Sequence, residues 1–100
     1  MFTNIERKFL KDCCTLYRND GYRLPSGVAP ISRESQEKLL SSALDKLTNV
    51  LRNDPLSKNE ASILLAAIRH VSAHYRIDDS SFDLLGLYNR LVVLAGGDPL

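Results

Sequence analysis

The sequence contains no tryptophan, and its two cysteines, Cys13 and Cys14, are neighbours in the chain. Two adjacent cysteines close no useful loop, so a disulfide framework is excluded. Four prolines and five glycines among 100 residues leave little room for a long disordered segment. Two thiols without a framework favour a reducing, cytoplasmic location, with one thiol buried and the other half exposed.

The chain also lacks a strong charge of either sign, because 13 Lys and Arg residues stand against 12 Asp and Glu residues. A net charge of +1 gives no global field to hold a polyanion, which disfavours nucleic acid as a partner. No apolar run is long enough to span a membrane, and the charges of Glu6, Arg7 and Lys8 disfavour a secretory signal. We therefore expect one cytoplasmic domain over residues 1–100.

What the sequence does contain is helical periodicity. The spacing of apolar residues predicts helices over about 4–18, 33–52, 58–75 and 80–95, with an irregular loop at 19–32. Three pairs have capping-box spacing: Thr3 with Glu6, Ser57 with Glu60, and Ser80 with Asp83. The predicted fold class is all-α, a compact bundle of four helices.

The third predicted helix is apolar on nearly every side. One stripe consists of Ala61, Leu64, Leu65, Ile68, Val71 and Tyr75, and a second consists of Ile63, Ala66, Ala67, His70 and His74. Only Ser62 and Arg69 form a polar strip between the two. A helix with two apolar stripes is expected to lie at the centre of the bundle, in contact with neighbours on two sides.

His70 and His74 stand four residues apart and share a helix face, as a zinc-binding pair would. The zincin motif also requires a glutamate between them, and Val71, Ser72 and Ala73 stand there instead. There is no glycine-rich phosphate loop and no nucleophile motif. We therefore predict no catalytic residues, no metal site and no cofactor, and the protein is not expected to be an enzyme.

The fourth predicted helix carries apolar residues on two faces, of which a four-helix domain can cover only one. The second face consists of Phe82, Leu85, Asn89, Val92 and Val93, a set that we name the apolar strip. An exposed apolar surface with a polar rim commonly marks an interaction site. We predict that the apolar strip binds another protein, or a second copy of this chain in a homodimer.

Four basic residues, Arg7, Lys8, Lys11 and Arg18, lie on the outer face of the first predicted helix, which we name the basic face. Such a face could contact phosphates or an acidic protein surface. A helix-turn-helix interpretation around Gly86 is poor, because the position four residues earlier is the large Phe82 and the recognition helix would offer few groups to bases.

The segment LSKNEASILLAAIRHVSAHY resembles the last helix pair of pediocin-like bacteriocin immunity proteins, which are small cytosolic bundles that bind a target complex. The order of the last three helices is similar to that of small enterobacterial biofilm and acid-resistance regulators, which are helical dimers. Both resemblances imply a helical protein that binds a partner, and neither assigns a site residue.

These observations lead to one preferred hypothesis and two alternatives. The preferred function is a non-enzymatic helical module, of phage or bacterial type, that acts as a small inhibitor, immunity or adaptor protein by occupying a partner's surface. The first alternative is a small dimeric DNA-associated transcriptional regulator that uses the basic face. The second is a metal-dependent hydrolase that uses the two histidines.

Overall fold

The computed structural model of the protein describes residues 2–21, 32–48, 55–77, 80 and 82–97, and these residues contain four α-helices. The helices are α1 (Asn4–Asn19), α2 (Arg33–Thr48), α3 (Lys58–His74) and α4 (Leu84–Leu94). No strand occurs within the described residues. The predicted all-α bundle is therefore confirmed. Across the same described residues, no helix is both long and apolar enough to cross a membrane.

Two of the helices begin at the capping boxes that the sequence predicts. In α1, the Thr3 hydroxyl accepts a hydrogen bond from the Glu6 amide at 3.2 Å, and the Glu6 carboxylate accepts one from the Thr3 amide at 2.9 Å. In α3, Ser57 and Glu60 exchange the same pair of bonds at 3.1 and 2.8 Å. Each box satisfies amide groups that the first helical turn would otherwise leave without a partner.

The fourth helix begins at Leu84 and not at about 80, so its predicted start and the Ser80 with Asp83 capping box are wrong. Asp83 is itself the N-cap, and its carboxylate accepts a hydrogen bond from the Gly86 amide at 3.0 Å. Phe82 therefore lies outside the helix, where its ring packs on Phe9 with 4.9 Å between ring centroids.

The other predicted bounds agree with the structure to within a residue where it describes them. The first helix ends at Asn19 and the third at His74. The second is described as far as Thr48, so its predicted residues 49–52 lie outside the described residues, as do 22–31 of the predicted loop.

Helix α3 lies at the centre of the bundle and packs against each of the other three helices, which confirms the prediction from its two apolar stripes. Its buried residues are Glu60, Ala61, Ile63, Leu64, Leu65, Ala66, Ala67, Ile68, His70 and Val71. At its C-terminal end, His74 and Tyr75 are exposed. The two stripes thus enter the core everywhere except in the last turn.

Helix α1 buries a charged residue together with its apolar ones. Its buried residues are Glu6, Leu10, Cys13, Cys14 and Tyr17, whereas Ile5 is half exposed. Both thiols are buried, so the expectation of one half-exposed cysteine is wrong. Glu6 can be buried because its carboxylate is held by the Thr3 amide and by the guanidinium of Arg90 on α4.

Candidate functional site

The structure separates the five residues of the apolar strip into two groups. Leu85 and Val93 are 59% and 55% exposed. Phe82 and Val92 are partly buried and pack against the core, and Asn89 is half buried. Leu85 and Val93 are therefore the members of the strip that solvent reaches most freely.

A groove lies beside Leu85, between the C-terminal half of α3 and the N-terminal half of α4. It has a volume of about 580 Å³ and is lined by Ile68, Arg69, Ser72, Ala73, Leu84, Leu85 and Tyr88. We name it the α3–α4 groove. Ser72 and Ala73 leave space on the α3 side because their side chains are small, and Leu84 and Leu85 supply an apolar wall on the α4 side. This volume lies in the range of clefts that bind small ligands.

Arg69 and Tyr88 bridge the two walls of the groove. The Arg69 Nε donates a hydrogen bond to the Tyr88 hydroxyl at 2.7 Å. The guanidinium carbon also lies 5.8 Å from the centroid of the Tyr88 ring, within the range of a cation–π contact. These two contacts fix the position of Arg69, the one charged side chain among the described residues that line the groove.

The basic face of α1 is engaged in local contacts at three of its four residues. Lys8 lies 3.7 Å from Asp12, and Arg18 lies 3.7 Å from Glu37 of α2. Arg7 donates hydrogen bonds to the Phe2 carbonyl and the Asn4 side chain. Lys11, the fourth residue, is half buried. Exposed ion pairs of this kind contribute little to stability and are readily exchanged for other partners.

A second, polar cleft lies where the C-terminal ends of α1 and α3 meet. It has a volume of about 600 Å³ and is lined by Asn19, Asp20, Gly21, His70, His74 and Tyr75. The Asp20 carboxylate accepts a hydrogen bond from His70 Nε2 at 2.7 Å and another from the Tyr75 hydroxyl at 2.8 Å. We name the cluster of Asp20, His70, His74 and Tyr75 the His70 cleft.

The electrostatics of the His70 cleft follow from these bonds. Donation from His70 and Tyr75 holds the pKa of the Asp20 carboxyl below its ordinary value. The hydrogen bond that Tyr75 donates to Asp20 also raises the pKa of the Tyr75 hydroxyl. Asp20 therefore acts as an anionic acceptor that ties the end of α1 to the end of α3.

An aspartate that orients a histidine supplies two of the three members of a nucleophilic triad. The two cysteine thiols do not supply the third member, the nucleophile. Cys13 and Cys14 are buried in the core, and burial raises the pKa of each thiol to about 12. Neither is a thiolate at neutral pH, and only the thiolate is a strong nucleophile. Among the described residues, no group of three His, Cys, Asp or Glu side chains has the arrangement of a metal site.

The sequence predicted that Leu85 and Val93 are exposed, but it did not predict two features of these candidate sites. The Arg69–Tyr88 pair joins residues 19 positions apart, and the Asp20–His70 pair joins residues 50 positions apart. One feature of the sequence points to the groove. On the polar side of α3, Arg69 is followed at helical spacing by the small residues Ser72 and Ala73. That pattern indicates a cation beside a shallow depression, but it does not reveal which helix forms the other wall.

Comparison of the chain with protein-family models, curated protein sequences and solved structures finds no match. The two resemblances drawn from the sequence gain no support from these comparisons.

Proposed function

We propose that this chain is a non-enzymatic protein-binding module, which acts by covering part of a partner's surface with the outer side of α4 and the adjoining α3–α4 groove. The observation that carries the proposal is the position of Leu85. This leucine is 59% exposed, and it also lines the groove. A large apolar side chain that stands beside an apolar depression offers both a projection and a pocket to a partner.

The energetics favour such a role for Leu85 and Val93. Burial of a large aliphatic side chain contributes about 1.5–3 kcal/mol, and here that stabilisation is largely unused by the fold. Binding would recover it in a complex. The ends of α4 are fixed by Asp83 at the N-cap and by a bond from the Gly97 amide to the Val92 carbonyl, so little order has to be gained on binding.

Photo-crosslinking tests the proposal. A photoreactive amino acid is placed at Leu85 in one preparation and at Ile5 in the other, because Ile5 is also about half exposed but lies on α1. We expect a protein from the native host to be crosslinked at position 85 and not at position 5. Mass spectrometry then identifies the partner, and calorimetry with the purified partner measures binding.

The matched variants for calorimetry are Leu85→Asp combined with Val93→Asp, and Ile5→Asp. A charge buried without a partner costs several kcal/mol at an interface and far less in water. The α4 variant should therefore lose binding while its circular dichroism spectrum stays helical, and Ile5→Asp should bind normally. Normal binding by the α4 variant would contradict the proposal.

The alternative function, a dimeric DNA-associated regulator, depends on the basic face of α1. Titration of random duplex DNA at several salt concentrations tests it, because neutralised phosphates give a steep fall of affinity with salt. Substitution of Lys8 and Lys11 by Gln should flatten this dependence if the basic face contacts phosphates. Light scattering on the same samples measures whether the chain forms the expected homodimer.

A further inference from the structure

We infer that the partner segment that enters the α3–α4 groove is an amphipathic helix bearing a carboxylate, and that Arg69 binds this carboxylate. This inference rests on the proposed function and specifies the chemistry of the partner. It follows from the shape of the groove, the bonds of Arg69 and the charges of the surrounding surface.

The shape of the groove suits a helix. Its walls are two antiparallel helices, since the N-terminal end of α3 meets the C-terminal end of α4, where Lys58 lies beside Gly96. A shallow apolar channel between two helices is a common receptor for a third helix, which inserts side chains at i, i+3 or i+4, and i+7. The small side chains of Ser72 and Ala73 allow such a helix to approach closely.

The bonds of Arg69 leave it able to take an anion. Its Nε donates to Tyr88, which holds the guanidinium over the groove. Within the described residues, its two terminal nitrogens have no hydrogen-bond partner. A guanidinium held in this way is prepared to receive a carboxylate, to which it gives strong charge-assisted hydrogen bonds.

The charges around the groove favour an acidic occupant. Among residues 55–77, 80 and 82–97, the basic side chains are Lys58, Arg69, Arg76 and Arg90, and the acidic side chains are Glu60 and Asp83. Glu60 is buried against Lys46 of α2, and the Asp83 carboxylate caps α4. Arg90 is paired with Glu6 of α1, and Lys58 lies beside Gly96 at the opposite end of the two helices. Among the described residues that line the groove, the charge is therefore the positive charge of Arg69.

The same charges argue against two other occupants. In a symmetric pair of copies, the two Arg69 side chains would meet at the same groove and repel each other. A nucleic acid would meet an apolar lining that offers one guanidinium, whereas phosphates need several cations. An acidic, amphipathic helix satisfies both the apolar lining and Arg69.

A displayed library of alanine-based helical peptides, randomised along one face, provides the probe. The library is selected on the wild-type protein and, in parallel, on Leu85→Asp and on Arg69→Gln. Both substituted side chains are exposed, and thermal melts verify that each variant is folded. We expect the wild type to enrich peptides that combine apolar residues at helical spacing with Asp or Glu, Leu85→Asp to retain none, and Arg69→Gln to lose the acidic preference.

A double-mutant cycle on the best peptide completes the test. Replacing its acidic residue by the amide should weaken binding to the wild type about 10-fold or more, Arg69→Gln should cause the same loss, and the two changes together should cause no further loss. Enrichment without an acidic preference would overturn the role of Arg69.

Retention of no peptide by the wild type would overturn the helical occupant. Tight binding of random duplex DNA, blocked by Leu85→Asp, would overturn the protein occupant. Neither failure of the peptide selection is a failure of the proposed function, which is decided separately by crosslinking at Leu85 against Ile5.

Discussion

His70 shows how much of a histidine's role depends on where its ring lies. Its ring is buried against the edge of Tyr17, with 5.6 Å between centroids, and Nε2 donates to Asp20. His74 lies one turn later, with 4.7 Å between its ring centroid and that of His70, but its side chain is exposed. The two residues look equivalent in the sequence, but of the two it is His70 that forms the hydrogen bond to Asp20 at the end of α1.

We expect His70→Ala to lower the free energy of unfolding by about 2 kcal/mol, because it removes buried contacts and leaves Asp20 without one of its donors. His74→Ala should change it by less than about 0.5 kcal/mol, since an exposed side chain is lost. Urea denaturation of the two variants measures both values. Equal effects of the two substitutions would show that the burial of His70 has no energetic consequence.

The two thiols lead to a second prediction at this scale. Burial raises the pKa of Cys13 and Cys14 to about 12, so almost no thiolate is present at pH 8. Both thiols should resist Ellman's reagent in the native protein and react rapidly once the chain is unfolded in guanidinium. Rapid reaction of either thiol in the native state would mean that the core beneath α1 opens readily.

The start of α3 has a consequence for acid stability. Glu60 is 3% exposed. Burial raises its pKa, but hydrogen bonds from Lys46, Ser42 and Ser57 outweigh that effect and lower the pKa to about 2, from an ordinary value of 4.5. A carboxyl whose folded-state pKa is lowered stabilises the fold above its unfolded-state pKa, and that contribution disappears as the pH falls.

We therefore expect the native protein to lose about 3 kcal/mol of stability as the pH is lowered from about 5 to 2 through this carboxyl. Glu60→Gln should be less stable at neutral pH and should lose much less of its remaining stability in that range. Glu34→Gln, in the exposed first turn of α2, is the matched control and should behave as the native protein does. Parallel acid denaturation curves for native protein and Glu60→Gln would contradict the prediction.

Local rules were sufficient where a helix begins with its own capping residues, as at Thr3 and Ser57. They failed at α4, where Ser80 and Asp83 are both competent caps. Packing of Phe82 on Phe9 of α1 places Phe82 outside the helix, and no local pattern reports that contact. Local patterns do not report the burial of Glu6 either, since its partner Arg90 lies 84 residues away.

The candidate site was predictable in the same partial way. An excess of apolar residues on α4 was visible in the sequence, and it led to Leu85 and Val93. The groove was not visible in the sequence, because α3 forms one wall and α4 forms the other. The Arg69–Tyr88 hydrogen bond joins the two walls only once the helices have packed together. An amphipathic pattern indicates which residues tend to be buried, whereas the presence of a pocket depends on how the helices lie relative to one another.

At the scale of the whole molecule, the relevant feature is how the four helices pack into one core. The radius of gyration is 12.6 Å, close to the roughly 13 Å expected of a compact domain of this length. The core draws on all four helices, with Leu10 and Tyr17 from α1, Leu40 from α2 and Leu87 from α4, each fully buried. These residues pack around α3, so the stability should depend most strongly on α3.

Leu64 of α3 is fully buried, and Leu64→Ala should lower the free energy of unfolding by about 2–5 kcal/mol through lost contacts and a cavity. Leu85→Ala removes the same atoms from an exposed position and should change it by less than about 1 kcal/mol. Urea denaturation of this matched pair compares core and surface. Similar losses for the two would mean that Leu85 is covered in solution, either by the chain itself or by a second copy.

The last prediction is that the isolated chain folds without a metal and without a disulfide. Both cysteines are free thiols, and the buried residues of the four helices form one continuous apolar cluster. In a chelator and a reductant, circular dichroism should show a strongly helical protein with a single cooperative melt. Added zinc should not raise the melting temperature, because a ligand stabilises a fold only by binding the native state. If the chain were unfolded in chelator and refolded with zinc, the His70 cleft would have to be reconsidered as a metal site, and the core described above would be insufficient to fold the chain.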